Sequence, residues 1–356
     1  MNETAHSARR RIARCERYLM GLRSTVAGVA LAACSLSILL AGCGGGSSAP
    51  APQTTVVPRT PGTITEFPVA KAPAGIAAGA DGALWFTEFR NAVGRISPAG
   101  GVTEFVLPNA NSQPGGIAAG PDGALWFTDG GANAIGRITA AGPGPEYTLS
   151  AVGALPNEIA AGPDGALWFT ETNANAIGRI TTTGQITQFP VPTANSGPVG
   201  IVAGPDGALW FTEYTAVKIG RITTAGTIAE FTTPHTGICC LAAVQPVDIT
   251  AGPDGALWFT EAGGLSGWLG RITTAGQITE FTAGGTARGG IVTGADGALW
   301  FTEGDVNKIA RMTTSGQLTE FPVPSARSRP GAIALGPDRA IWFTENFAPN
   351  IGTLNP

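Results

Sequence analysis

Histidine is nearly absent from this chain of 356 residues: there are two, His6 and His235. Any chemistry built on a pair or cluster of imidazoles therefore has almost nothing to work with. Charge is also scarce, with 13% Asp, Glu, Lys and Arg, a net charge of −4 and no basic stripe interleaved with aromatics beyond residue 60. That argues against nucleic acid as a partner. Cysteine numbers five, and only Cys239 and Cys240 lie beyond residue 43. A disulfide framework cannot hold such a fold together. The adjacent pair either closes a strained vicinal bridge or stays as two thiols, since neighbouring Cα atoms sit about 3.8 Å apart against about 5.5 Å for a relaxed bridge.

What is abundant is glycine and proline, 52 and 27 residues, in a chain that is 43% hydrophobic. This suits short strands joined by tight turns and leaves little for helices. A phrase close to Gly-Pro-Asp-Gly-Ala-Leu-Trp-Phe-Thr-Glu recurs seven times, with its tryptophan at Trp85, Trp126, Trp168, Trp210, Trp258, Trp300 and Trp342. The spacings are 41, 42, 42, 48, 42 and 42 residues. A period of that length filled with strand and turn signals indicates a radial all-β array, one four-stranded blade per repeat. The expectation is an all-β, seven-bladed β-propeller over residues 61–356. Residues 157–190 show one blade: 157–161 as inner strand, 162–165 as a turn, then strands at 166–171, 176–181 and 186–190. In the second strand Leu167 and Phe169 point one way and Trp168 and Thr170 the other. Both faces are apolar, as blade-on-blade stacking requires. Residues 63–67 read as an outer strand with no blade before it, and the last repeat stops after a third strand at 351–354. The N-terminal strand is therefore expected to complete the last blade and close the ring.

The first 43 residues read as a targeting segment. Arg9, Arg10, Arg11, Arg14, Arg17 and Arg23 precede an apolar run over 24–42 that ends in Leu40-Ala41-Gly42-Cys43. This resembles the lipobox of bacterial lipoproteins, which implies cleavage before Cys43 and its lipidation. The alternative is an ordinary secretory signal or a single membrane anchor. Residues 44–60 make a Gly/Ser/Ala/Pro tether. The expected location is exported and lipid-anchored in the bacterial cell envelope, facing the periplasm or the surface, as a monomer.

The Trp-Phe-Thr-Glu strand, followed by Ile-Gly-Arg-Ile-Thr and Gly-Gln-Ile-Thr-Glu-Phe, resembles the streptogramin B lyase (virginiamycin B lyase) family across all seven repeats. The resemblance implies a seven-bladed propeller that linearises a cyclic depsipeptide by elimination at its ester. It also implies a carboxylate-held Mg²⁺ beside a His base, so Mg is the cofactor if lyase activity is retained. At the matching positions of blades six and seven stand Gly289 and Gly331 in place of the two His, and Arg329 in place of a metal-binding Glu. The five equivalents, Ala74, Gly115, Asn157, Val199 and Val247, supply no His either.

Several further expectations rest on the repeat. The turn aspartates (Asp81 through Asp338) are read as turn formers rather than a ligand ring. The acids that end the second strands (Glu88, Asp129, Glu171, Glu213, Glu261, Glu303, Glu345) are read as partners of the third-strand arginines. In blade seven Thr353 replaces that arginine, which makes Glu345 a candidate metal ligand or a partner of Arg329. Blade five carries two insertions that hold His235, Cys239, Cys240 and Trp268. With Asp248 and Glu261 these could gather on one rim as a ligand or metal site, or form a solvated loop with Trp268 as a lid. Together with Asn157 they are the candidate contacts for a small-molecule, peptide or protein ligand at the central face. Two functions are open: a tethered binding scaffold that has lost the lyase site, or a Mg-dependent lyase.

Overall fold

In the computed structural model, described over residues 60–234, 244–263, 267–285 and 289–356, 28 strands form seven four-stranded antiparallel sheets. Blade three is representative, with strands Pro156–Ala161, Leu167–Glu171, Ala176–Ile180 and Ile186–Pro190. Its first turn is set by Gly165 at φ +73°, a conformation that an L side chain disfavours. The inner strands of successive blades lie side by side around the ring.

Closure follows the expected route. Strand Ile64–Pro68 pairs antiparallel with Asn350–Leu354, from Ile64 opposite Leu354 to Pro68 opposite Asn350. It is thus the outer strand of blade seven. The expectations for residues 1–43 and 44–59, Cys43 included, lie outside the described residues.

Seven hydrophobic clusters hold the ring, and each spans two neighbouring blades. Trp168 and Ile177 of blade three, for example, pack on Leu209, Phe211 and Ile222 of blade four. At the seam, Trp342 and Ile351 of blade seven meet Leu84, Phe86 and Ile96 of blade one. Within every blade the tryptophan stacks on an aromatic of the outer strand, with ring centroids 5.1–5.7 Å apart. Such offset stacks add to the area term of about 25 cal/mol per Å².

The third-strand arginines correct one expectation. Arg95, Arg137, Arg179, Arg221, Arg271 and Arg311 pair with the turn aspartates of their own blades at 2.6–2.8 Å, not with the acids that end the second strands. Register is the reason: Arg179 lies opposite Trp168, near the turn, while Glu171 lies opposite Ala176 at the other end of the hairpin. The turn reading of the aspartates holds. Asp164 Oδ1 accepts from Ala166 N at 3.4 Å and from Trp168 Nε1 at 3.0 Å, while Oδ2 accepts from Arg179 Nε at 2.7 Å.

Candidate functional site

Where each inner strand begins, six blades carry a bulge. In blade three Pro156 faces Glu171 and Ile159 faces Phe169, so residues 157 and 158 together stand opposite Thr170. Blades one, two, four, five and seven repeat the shift. A bulge leaves ladder groups unpaired and re-aims side chains. The threonine of the Trp-Phe-Thr-Glu phrase takes up the unpaired groups. Thr170 Oγ1 accepts from Glu158 N at 3.1 Å and donates to Val199 O of blade four at 2.7 Å. All seven threonines donate in the same way, from Thr87 to Gly115 O through to Thr344, which reaches Ala74 O of blade one at 3.0 Å. The acceptors are the seven positions compared in the sequence.

These bulges wall a central cavity of about 400 Å³. Asn157 lines it, as expected, but the residue after the compared position matters more. In blade order that position reads Gly75, Gly116, Glu158, Gly200, Asp248, Gly290, Ala332. Two carboxylates thus stand at a repeat position that is otherwise glycine or alanine. Asp248 is among the residues the sequence points to, and Glu158 is not, since the repeat comparison there singles out its neighbour Asn157. The signal for Glu158 was available as one acid among glycines at a repeat position. Asp248 Oδ1 accepts from Ile249 N at 2.8 Å and Oδ2 from Ile291 N of blade six at 3.0 Å. Burial pushes its carboxyl up to about 6, with those two amides opposing. Burial, then the negative charge of Asp248, pushes Glu158 up to about 8, with Ile159 N–H opposing. The glycines are fitted to these acids. A Cβ on Gly200 would stand 3.0 Å from Asp248 Oδ1, and one on Gly116 would overlap the Glu158 carboxylate.

The other candidates lie elsewhere. Glu261 is fully buried, opposite Trp268 in the register of blade five, and neither lines the cavity. Burial and the charge of Glu280 push Glu261 up to about 8. The proposed gathering of Asp248 with Glu261 and Trp268 on one rim is therefore not what the described residues show. His235, Cys239 and Cys240 lie outside them. Glu345 is also fully buried and away from the cavity wall, facing Ser328, Glu66 and Asn350. Its expected partner is engaged differently: the Arg329 guanidinium stands 3.8 Å from Asp305 and 5.1 Å over the Phe347 ring. Among the described residues no three His, Cys, Asp or Glu are grouped to hold a metal ion.

The virginiamycin B lyase family model matches residues 54–244 and 240–356. A solved streptogramin B lyase is 35% identical, with 82% of this chain and 97% of that one covered and a TM-score of 0.76. A catalytically inactive His-to-Ala variant of virginiamycin B lyase from Staphylococcus aureus, solved with quinupristin, is 40% identical over 83% of this chain and 99% of that one, again with a TM-score of 0.76. Virginiamycin B lyase of Bordetella bronchiseptica is 54% identical over 54 residues, which is 14% of this chain. That match spans only 18% of the relative's length.

Proposed function

The chain belongs to the virginiamycin B lyase family, and from that premise we propose that it is an envelope-tethered binding propeller. Its channel captures a small-molecule, peptide or protein ligand without the elimination chemistry. The observation that carries this reading is the channel wall at blades six and seven. Elimination at an ester needs a base at the α-proton and a Lewis acid on the carbonyl. Gly289 and Gly331 bring no imidazole there, and the described residues contain no histidine at all. The backbone is also moulded around the missing side chain: a Cβ on Gly289 would overlap the Thr302 hydroxyl, which donates to Gly331 O at 2.7 Å.

The residues at that place do not fit Mg²⁺. The ion requires oxygen donors in near-octahedral order, and Arg329 sets a permanent positive charge beside Gly331. Glu345 stands apart from the cavity wall. One observation favours the alternative, a lyase with a displaced site: Glu158, pushed up to about 8, has the proton affinity of a general base near neutral pH.

Mass spectrometry separates the two readings. The full-length chain in excess over a B-type streptogramin, with and without Mg²⁺, is expected to leave the ring closed. An accumulating ring-opened product would establish the alternative. The tether rests on the Leu40-Ala41-Gly42-Cys43 segment. Cys43→Ala is expected to abolish acyl-chain labelling and release the chain from the membrane fraction. Labelling that survives the substitution counts against a lipid anchor.

A further inference from the structure

Between blades six and seven a second cavity of about 180 Å³ opens beside the channel. It shares Gly289, Gly331 and Asn346 with the central one. Its charged wall is Arg329 with Asp305, and its lip is Phe347, 70% exposed. Arg329 holds a left-handed backbone at φ +55°, and its amide donates to Asn307 Oδ1 at 3.0 Å. The stem then crosses Gly304, where a Cβ would stand 3.1 Å from Arg329 Cγ. Blades one, four and seven place Phe89, Tyr214 and Asn346 at the position of Gly304. The missing side chain therefore leaves a track for the arginine.

At the end of that track the guanidinium lies 5.1 Å over the Phe347 ring, a cation–π distance. Its carboxylate neighbour Asp305 is 3.8 Å away, beyond hydrogen-bond reach. A guanidinium carries five N–H donors in one plane, and among the described residues none of these makes a hydrogen bond. An exposed pair at such a distance contributes little to stability, so folding does not account for the arrangement. What it provides is a pre-aimed cation backed by an exposed ring, beside a cavity large enough for a planar acid group.

We infer that Arg329 over Phe347 is the carboxylate subsite of the channel, and that it takes the carboxyl terminus of a peptide ending in an aromatic residue. The inference rests on the binding-propeller reading and names its ligand class. Arg329 meets the carboxylate through two parallel N–H bonds, and the exposed Phe347 ring gives the last side chain apolar surface. Asp248, further along the channel wall, repels the anion and so fixes which end of the peptide points to blade seven.

The test is titration calorimetry on the full-length chain with N-acetyl-Ala-Phe as free acid and as carboxamide. The acid is expected to bind about tenfold or more tightly than the amide, the scale of a charge-assisted bond. Arg329→Gln removes the preference, Arg329→Lys keeps part of it, and Phe347→Ala weakens both peptides. Thermal melts of the variants control for folding. Equal affinity for acid and amide in the wild type overturns the subsite while leaving a peptide-binding channel intact. A preference that survives Arg329→Gln, or no heat from either peptide at millimolar concentration, also overturns it. Streptogramin ring opening would instead overturn the binding-propeller reading.

Discussion

At the scale of single residues, the third strand shows how tightly one blade is fitted to its own aromatics. A Cβ built on Gly94, Gly136, Gly178, Gly220, Gly270 or Gly352 would overlap the phenylalanine ring of the neighbouring strand. Blade six alone has alanine there, Ala310, fully buried against Phe301. Gly178→Ala is expected to cost about 1–3 kcal/mol by overpacking, and Ala310→Gly about 1 kcal/mol through backbone freedom. Denaturant midpoints measure both. A neutral Gly178→Ala would show that the ring, not the backbone, yields. The same scale explains a misreading of the sequence. Residue type alone pairs the arginines with the acids that end the strands, whereas the hairpin register sets Arg179 opposite Trp168 and so beside Asp164.

At the scale of the blade, the acids ending the second strands form a repeated motif of their own. Each is buried, and in six blades it faces a second carboxylate from the outer strand: Glu104, Glu146, Glu230, Glu280, Glu320 or Glu66. Lys71, Lys218 and Lys308 neutralise three of those partners at 2.5–2.9 Å. Blade three differs, since Gln188 Nε2 donates to both oxygens of Glu171, at 2.9 and 2.6 Å. An amide is the shape of a protonated acid, so blade three displays permanently what the others reach by taking up a proton. Burial first, then the facing carboxylate, pushes Glu88 and Glu213 up to about 7 and Glu261 up to about 8, from an ordinary 4.5.

Below pH 4.5 these groups are protonated whether the chain is folded or not. Between there and about pH 8 the unfolded chain ionises first, so stability falls as pH rises and levels off beyond that window. The turn aspartates work in the opposite sense. Burial opposes their ionisation, but in blades one to six the tryptophan and arginine hydrogen bonds hold Asp81, Asp122, Asp164, Asp206, Asp254 and Asp296 below 3.8, so their contribution is lost only as pH drops through that region. The melting temperature is therefore expected to peak near pH 5. Gln188→Glu should cost roughly 1–3 kcal/mol at pH 8 and much less at pH 5. An equal cost at the two pH values would mean the pairs hold no proton.

At the scale of the whole molecule, the ring depends on a strand that comes from the other end of the chain. Thr65 lies opposite Thr353, and Phe67 stacks on Trp342 at 5.7 Å. Thr65→Pro is expected to remove about 1–3 kcal/mol, the cost of a ladder partner left unsatisfied, and to loosen blades one and seven together. Hydrogen exchange should show faster exchange in both blades, whereas a loss confined to residues 60–68 would mean that the last blade stands without its fourth strand. Blade count, closure and turn chemistry were legible in the sequence because seven copies of one phrase average out local ambiguity. Glu158 and the Arg329–Phe347 contact were not, because each depends on what neighbouring blades bring to a bulge or a cavity, and a linear comparison weighs each position alone.

The threonine contacts at the channel have a further consequence. All seven hydroxyls point the same way round, each handing its proton to a carbonyl of the following blade, and five among them also accept an amide N–H from the inner strand of their own blade, as Thr170 does from Glu158. The loop has a direction, like a belt of identical buckles, and the reach of seven O–H groups limits its circumference in addition to the packing between blades. A guest entering the channel meets a hoop of fixed gauge: widening it at one blade requires slack that the other six do not have.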